Sequence, residues 1–143
     1  MKKRISLLFC LFLLLNGCGK LVQPPSVQSV EDTFQKYREE VQIITDYLLP
    51  QKEHIAIYTS QDLKTAPEDV RSADEILRKQ AGCNSIHHSG STVYFILWTR
   101  FTDAGCGIAY TTEDSPESDL TYLTYLEPLS EPGWFYYVED CAV

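Results

Sequence analysis

Among the 143 residues, five cysteines and three histidines are the side chains best suited to chemistry near neutral pH. The tightest grouping is Cys83-Asn84-Ser85-Ile86-His87-His88. A thiol paired with an imidazole makes a nucleophile, and the same groups ligate zinc or copper. The spacing works against both uses. Read as a strand, the segment puts Cys83 and His87 on one face but about 13 Å apart, and turns His88 to the opposite face. Neither Cys-x-x-Cys nor His-x-x-x-His occurs to close a metal site, and His54 reads as an exposed strand end rather than a further ligand. Gly105-Cys106-Gly107 lacks the flanking glycine and lysine of a phosphate-binding loop, and no Gly-x-Ser-x-Gly elbow is present. Those glycines read as a strand start or bulge. Residues 113–119 carry four carboxylates around Pro116 without the spacing of a calcium loop, so they read as a solvated acidic loop. No cofactor and no metal is expected, and a small enzyme using Cys83, His87 or His88 is the lesser reading.

The elements that must position these residues are legible in the apolar periodicity. Residues 91–112 are the organising stretch: a long apolar strand, a polar turn and a second strand. Val93, Phe95, Leu97, Thr99 and Phe101 point one way, and Tyr94, Ile96, Trp98 and Arg100 the other. Neither face is plainly polar, as in a sheet covered on both sides or one that presents a side to a partner. Upstream, Val30, Phe34, Tyr37, Val41, Ile44 and Leu48 recur at alternating spacings of four and three. They predict an amphipathic helix that starts near Ser29, with Asp32 as its capping partner, and stops at Pro50. Residues 54–58 predict a short strand with Ile55 and Ile57 inward. Thr65 is placed to cap a second helix, with Pro67 in its first turn, Val70, Ala73, Leu77 and Ala81 as its apolar face and Gly82 at its end. Residues 83–88 and 134–138 predict further strands, with Ser89-Gly90 as a hairpin turn. Leu120, Leu123 and Leu126 predict a short helix, against the strand propensity of the Thr and Tyr residues between them. The sum is an α+β fold: a single domain with a mostly antiparallel sheet of about four to five strands and two helices on one face.

Charge narrows the partners. The chain carries 12 basic and 20 acidic residues, −8 in all, and loss of Lys2, Lys3 and Arg4 would leave nine basic residues and −11. Nucleic acid, which calls for a basic face, is therefore not an expected partner. The N-terminus points to a membrane by another route. Lys2-Lys3-Arg4 followed by the apolar run of residues 5–15 has the form of a signal peptide and is too short for an ordinary spanning helix. The following Leu15-Asn16-Gly17-Cys18 resembles the lipobox of bacterial lipoproteins, although that pattern more often has a small or aliphatic residue where Asn16 stands. The resemblance covers about the first 20 residues. It implies removal of residues 1–17, a diacylated Cys18 as the mature N-terminus, and a protein exported and lipid-anchored to a bacterial membrane on its extracytoplasmic side. Residues 18–28 then form the lipidated tether, stiffened by Pro24-Pro25, and residues 29–143 the globular domain. Residues 93–134 also loosely resemble small uncharacterised bacterial proteins with aromatic strands near the C-terminus, a likeness that implies no activity.

These features favour a non-enzymatic interaction or binding module, such as an inhibitor, an immunity-type protein or an accessory protein, with the bilayer and an envelope protein as partners. If the Ser89-Gly90 and Asp103-Ala104 turns set the registers, Tyr94, Ile96, Trp98, Ile108 and Tyr110 share one face with Cys83 and His87. Ile86, Val93, Phe95, Leu97 and Phe101 share the other. Tyr94, Trp98 and Tyr110 are then a candidate partner-binding surface, because such side chains combine an apolar body with a polar tip. The competing expectation is that Leu120, Leu123 and Leu126 fold over that face as a second small core. Export also permits disulfides, and the expected bridge joins Cys106 to Cys141.

Overall fold

In the computed structural model, which describes residues 23–100, 104–116 and 123–140, the first helix opens at Ser26. Its hydroxyl accepts the Ser29 N–H at 3.3 Å, so helix α1 (Val27–Lys36) begins before the expected Ser29 cap. The helix breaks at Tyr37, whose φ of −115° and ψ of 27° are not helical, and resumes as α2 (Arg38–Leu48). The apolar stripe nevertheless runs unbroken: Val30, Phe34, Tyr37, Val41, Ile44 and Leu48 are all buried. A third helix, α3 (Glu68–Ile76), has Pro67 rather than Thr65 at its cap position. It continues into a wider turn over Leu77–Ala81, ended by Gly82 at φ 73°, a left-handed conformation that glycine adopts without strain.

The strands are β1 (Ile55–Ile57), β2 (Ser85–Ser89), β3 (Thr92–Arg100), β4 (Ala104–Thr111), β5 (Leu123–Pro128) and β6 (Trp134–Asp140). They form one antiparallel sheet in the order β1-β2-β3-β4-β6-β5. The architecture is α+β, as expected, with six strands rather than four to five and three helices rather than two. The added strand is β5, which takes the place of the helix expected around Leu123 and Leu126. Its register with β6 shifts between Leu123 and Tyr125. That shift inserts one residue, so two leucines three positions apart face the same side, where both pack on one cluster. A spacing of three, typical of a helix, is thus met by a bulged strand. Leu120 lies outside the described residues.

A second bulge changes the central strand. The β3–β4 register shifts between Ile96 and Trp98, and the glycine opposite Ile96 is what permits it: a Cβ on Gly107 would stand 1.8 Å from the Phe95 carbonyl oxygen. Leu97 and Trp98 consequently both pack against the helix-side core. That core joins the helical stripes to Ile86, Val93, Phe95, Ile108, Trp134 and Tyr136. The opposite face carries a smaller cluster of Tyr94, Ile96, Ala109 and Tyr137, with Leu123, Leu126 and Phe135 against it. Among the described residues, no helix is long and apolar enough to cross a membrane.

Candidate functional site

The β1 end of the sheet is tied down by one buried ion pair. Asp74 of α3 is wholly buried; it accepts hydrogen bonds from Ser60 Oγ at 2.7 Å and from Arg78 Nε at 2.9 and 3.0 Å. The rest of the Arg78 guanidinium donates to the carbonyls of Tyr58 and Asn84, both at 3.0 Å, and of Ile57 at 3.2 Å. One planar fork therefore ties α3 to the end of β1 and the approach to β2. On the other side, Asp62 Oδ2 accepts the N–H groups of Tyr58 and Thr59 at 2.9 and 2.8 Å. The Tyr58 backbone is held at both its N–H and its carbonyl, yet its side chain stands out: the residue is 63% exposed.

Beside Tyr58 lies an open cleft of about 480 Å³, lined by His54, Ala56, Tyr58, His87, His88 and Tyr94 among others. Its centre follows from strand register. Ala56 pairs with His87 and His87 with Tyr94, so these three side chains share the face away from the helices. The Tyr58 and His87 rings meet edge to face, with centroids 5.5 Å apart and planes at 75°. Burial penalises the charged imidazole and lowers the His87 pKa. Among the described residues, its buried Nε2 has no hydrogen-bond partner, and no Lys, Arg, Asp or Glu lines the cleft.

The sequence candidates are distributed differently from the expectation. Tyr94 lies in the small cluster, edge to face with Tyr137 at 5.5 Å, and is buried. Trp98 and Tyr110 instead pack on the helix-side core, with the Tyr110 ring 4.9 Å from that of Trp134. The three aromatics do not form one face, because Val93 pairs with Tyr110 and the Leu97 bulge reverses the alternation before Trp98. Leu123 and Leu126 do pack on the Tyr94 side, as the competing second-core expectation required. Cys83 is in the helix-side core with Ile86 and does not share a face with His87. Its thiol donates to the Ser85 carbonyl at 3.4 Å, and burial pushes its pKa up to about 12. His88 is buried, with Nε2 3.1 Å from the Gly90 carbonyl. No thiol–imidazole pair is assembled from these residues, and at neutral pH Cys83 supplies no thiolate.

Cys106 is a buried thiol, also raised to about 12 by burial, and pairs across the sheet with Val138, three residues short of Cys141. Cys141 and Cys18 lie outside the described residues. Among the described residues, no group of three His, Cys, Asp or Glu side chains is placed to hold a metal. Tyr58 and the Asp74–Arg78 pair were not singled out from the sequence. The i,i+4 spacing of Asp74 and Arg78 was the available signal, but nothing local told that the pair would be buried under β1. No protein-family model, curated protein or solved structure matches the chain.

Proposed function

We propose that this protein is an exported lipoprotein, held by acyl chains on Cys18 at the extracytoplasmic side of a bacterial membrane. Its folded part serves as a non-enzymatic binding module. The observation that carries the second half is Tyr58: an exposed aromatic ring on a backbone clamped by Asp62 and Arg78, at the lip of an open cleft. Exposed aromatics on rigid supports suit recognition, since little freedom is lost when a partner binds. The groups an enzyme would need are buried or apart, as Cys83 and His87 illustrate.

The anchor follows from the lipobox resemblance, each buried methylene contributing roughly 0.8 kcal/mol of attachment. The tether is short. Tyr136 donates its hydroxyl to the Pro25 carbonyl at 3.0 Å, which pins the start of the domain to β6. From Cys18 to Pro25 the chain spans at most about 25 Å, so the domain stays close to the bilayer. β1 lies four strand positions from β6, roughly 19 Å across the sheet, so the cleft is well removed from the pinned tether.

Two measurements test this reading. Wild-type protein should partition into detergent and incorporate labelled palmitate, while Cys18→Ala should leave the detergent phase or remain unprocessed; an unlabelled wild type with a free Cys18 thiol would refute the anchor. A photo-crosslinking residue substituted for Tyr58 should give a discrete envelope adduct in cells. The same residue at Tyr125, also exposed but on β5 at the far edge, should not. Equal crosslinking at both positions would sink the binding surface.

A further inference from the structure

We infer that the cleft beside β1 is a receptor for an organic cation, an alkylammonium or guanidinium group seated against Tyr58 and His87 above Tyr94. This rests on the binding-module reading above and gives its partner a chemistry. The first ground is the lining: two tyrosines and three histidines, with no Lys, Arg, Asp or Glu among the described residues. Aromatic faces carry partial negative charge, so a cluster of rings holds a cation without a carboxylate, as in the cages that bind quaternary ammonium groups. The second is that His87 does not oppose it. Burial lowers the His87 pKa and favours the neutral ring, so His87 sets no positive charge against the ligand.

The third ground is long-range. With 20 acidic against 12 basic residues the protein attracts cations and repels anions, whichever N-terminus it carries. Among the described residues, an anion would find no Lys or Arg in the cleft, and no three His, Cys, Asp or Glu side chains are placed together to hold a metal ion. The fourth is preorganisation. Asp62 and Arg78 hold the Tyr58 backbone from both sides, Arg78 is itself fixed by buried Asp74, and the ring rests edge to face on His87.

The cation has two possible sources, a free small molecule or the Lys or Arg side chain of a partner protein. The full chain in micelles of uncharged detergent should be titrated with choline, with its uncharged isostere dimethylbutanol, and with acetyl-lysine amide. The readout is the ring-proton resonances of Tyr58 and His87. A saturable shift is expected with at least one cation, and dimethylbutanol should bind roughly tenfold more weakly. Tyr58→Ala should weaken the cation by a similar factor at an unchanged melting temperature. Preference for choline would identify a small-molecule ligand, and preference for the lysine amide a partner side chain. The inference is overturned if neither cation gives a saturable shift, if dimethylbutanol binds as well, or if Tyr58→Ala binds like the wild type. The crosslink at position 58 would in that case still stand or fall on its own.

Discussion

The two faces of the sheet are built on different terms. On the helix side, the stripes of α1, α2 and α3 meet Ile86, Val93, Phe95 and Ile108 in one continuous apolar core, with Phe34 4.9 Å from Trp134. Among the described residues, the other face has a smaller cluster of four buried residues, and beside it Tyr137 Oη and His87 Nε2 are buried without partners, as Thr45 Oγ1 and His88 Nδ1 are on the helix side. A buried polar group without a hydrogen bond costs about 1–3 kcal/mol, and the smaller apolar cluster has less burial with which to offset that cost than the helix-side core. The contrast teaches where binding can be located. The helix-side face is covered by the helices, whereas the other keeps rings and the His87 imidazole at an open edge, where a ligand has access.

Truncation should expose this difference most strongly in the helix-side core. Phe34→Ala is expected to destabilise the protein by about 3–5 kcal/mol in denaturant melts, because the fully buried ring leaves a cavity between α1 and Trp134. A loss below about 1 kcal/mol would mean that this core is not the stabilising one. Trp98→Ala should fall next, at about 2–3 kcal/mol, since the bulge turns the ring onto the same core while leaving it partly exposed. An unchanged melting temperature would return Trp98 to the opposite face and undo the β3 register. Tyr137→Phe should act in the other direction and stabilise by about 1 kcal/mol, because it deletes a buried hydroxyl that has no partner among the described residues. Destabilisation on that change would reveal a hydrogen bond to that hydroxyl.

The smallest effect is in pH. The folded state lowers the His87 pKa from the ordinary value of 6.5, so below that value the unfolded chain takes up the proton more readily than the folded one. Its contribution is therefore complete above pH 6.5 and declines as pH falls through 6.5 toward the lowered folded pKa. Comparing His87→Gln with the wild type should remove that part of the slope; parallel stability curves across the window would contradict a buried neutral imidazole. Near pH 4 a separate loss is expected at the α1 junction. There burial works to raise the Glu31 pKa, but hydrogen bonds from Ser130 and Gln35 hold it below its ordinary value.

How far the fold could be read in advance differs from element to element. The stripe from Val30 to Leu48 was legible because helical periodicity is local and sums over six positions, and all six are buried even across the break at Tyr37. Gly107 was legible only as the mark of a strand start or bulge; which bulge needed the partner strand, whose Phe95 carbonyl approaches the missing Cβ. Leu123 and Leu126 misled because their spacing of three suits a helix and also a strand with one inserted residue. No window that short separates the two.

By itself, then, the sequence determined the α+β class, the helical stripe that covers the sheet and the net acidic charge. The tertiary structure alone decided which aromatics share a face. Strand side chains alternate with a period of two, so one inserted residue at Leu97 reverses every assignment beyond it, and insertions are set by pairing between strands. Likewise, Tyr58 enters the candidate site only because Arg78, 20 positions later, donates to its carbonyl and His87 comes across from β2 to meet its ring. Contacts of that kind depend on chain closure over long separations, which local residue patterns do not encode.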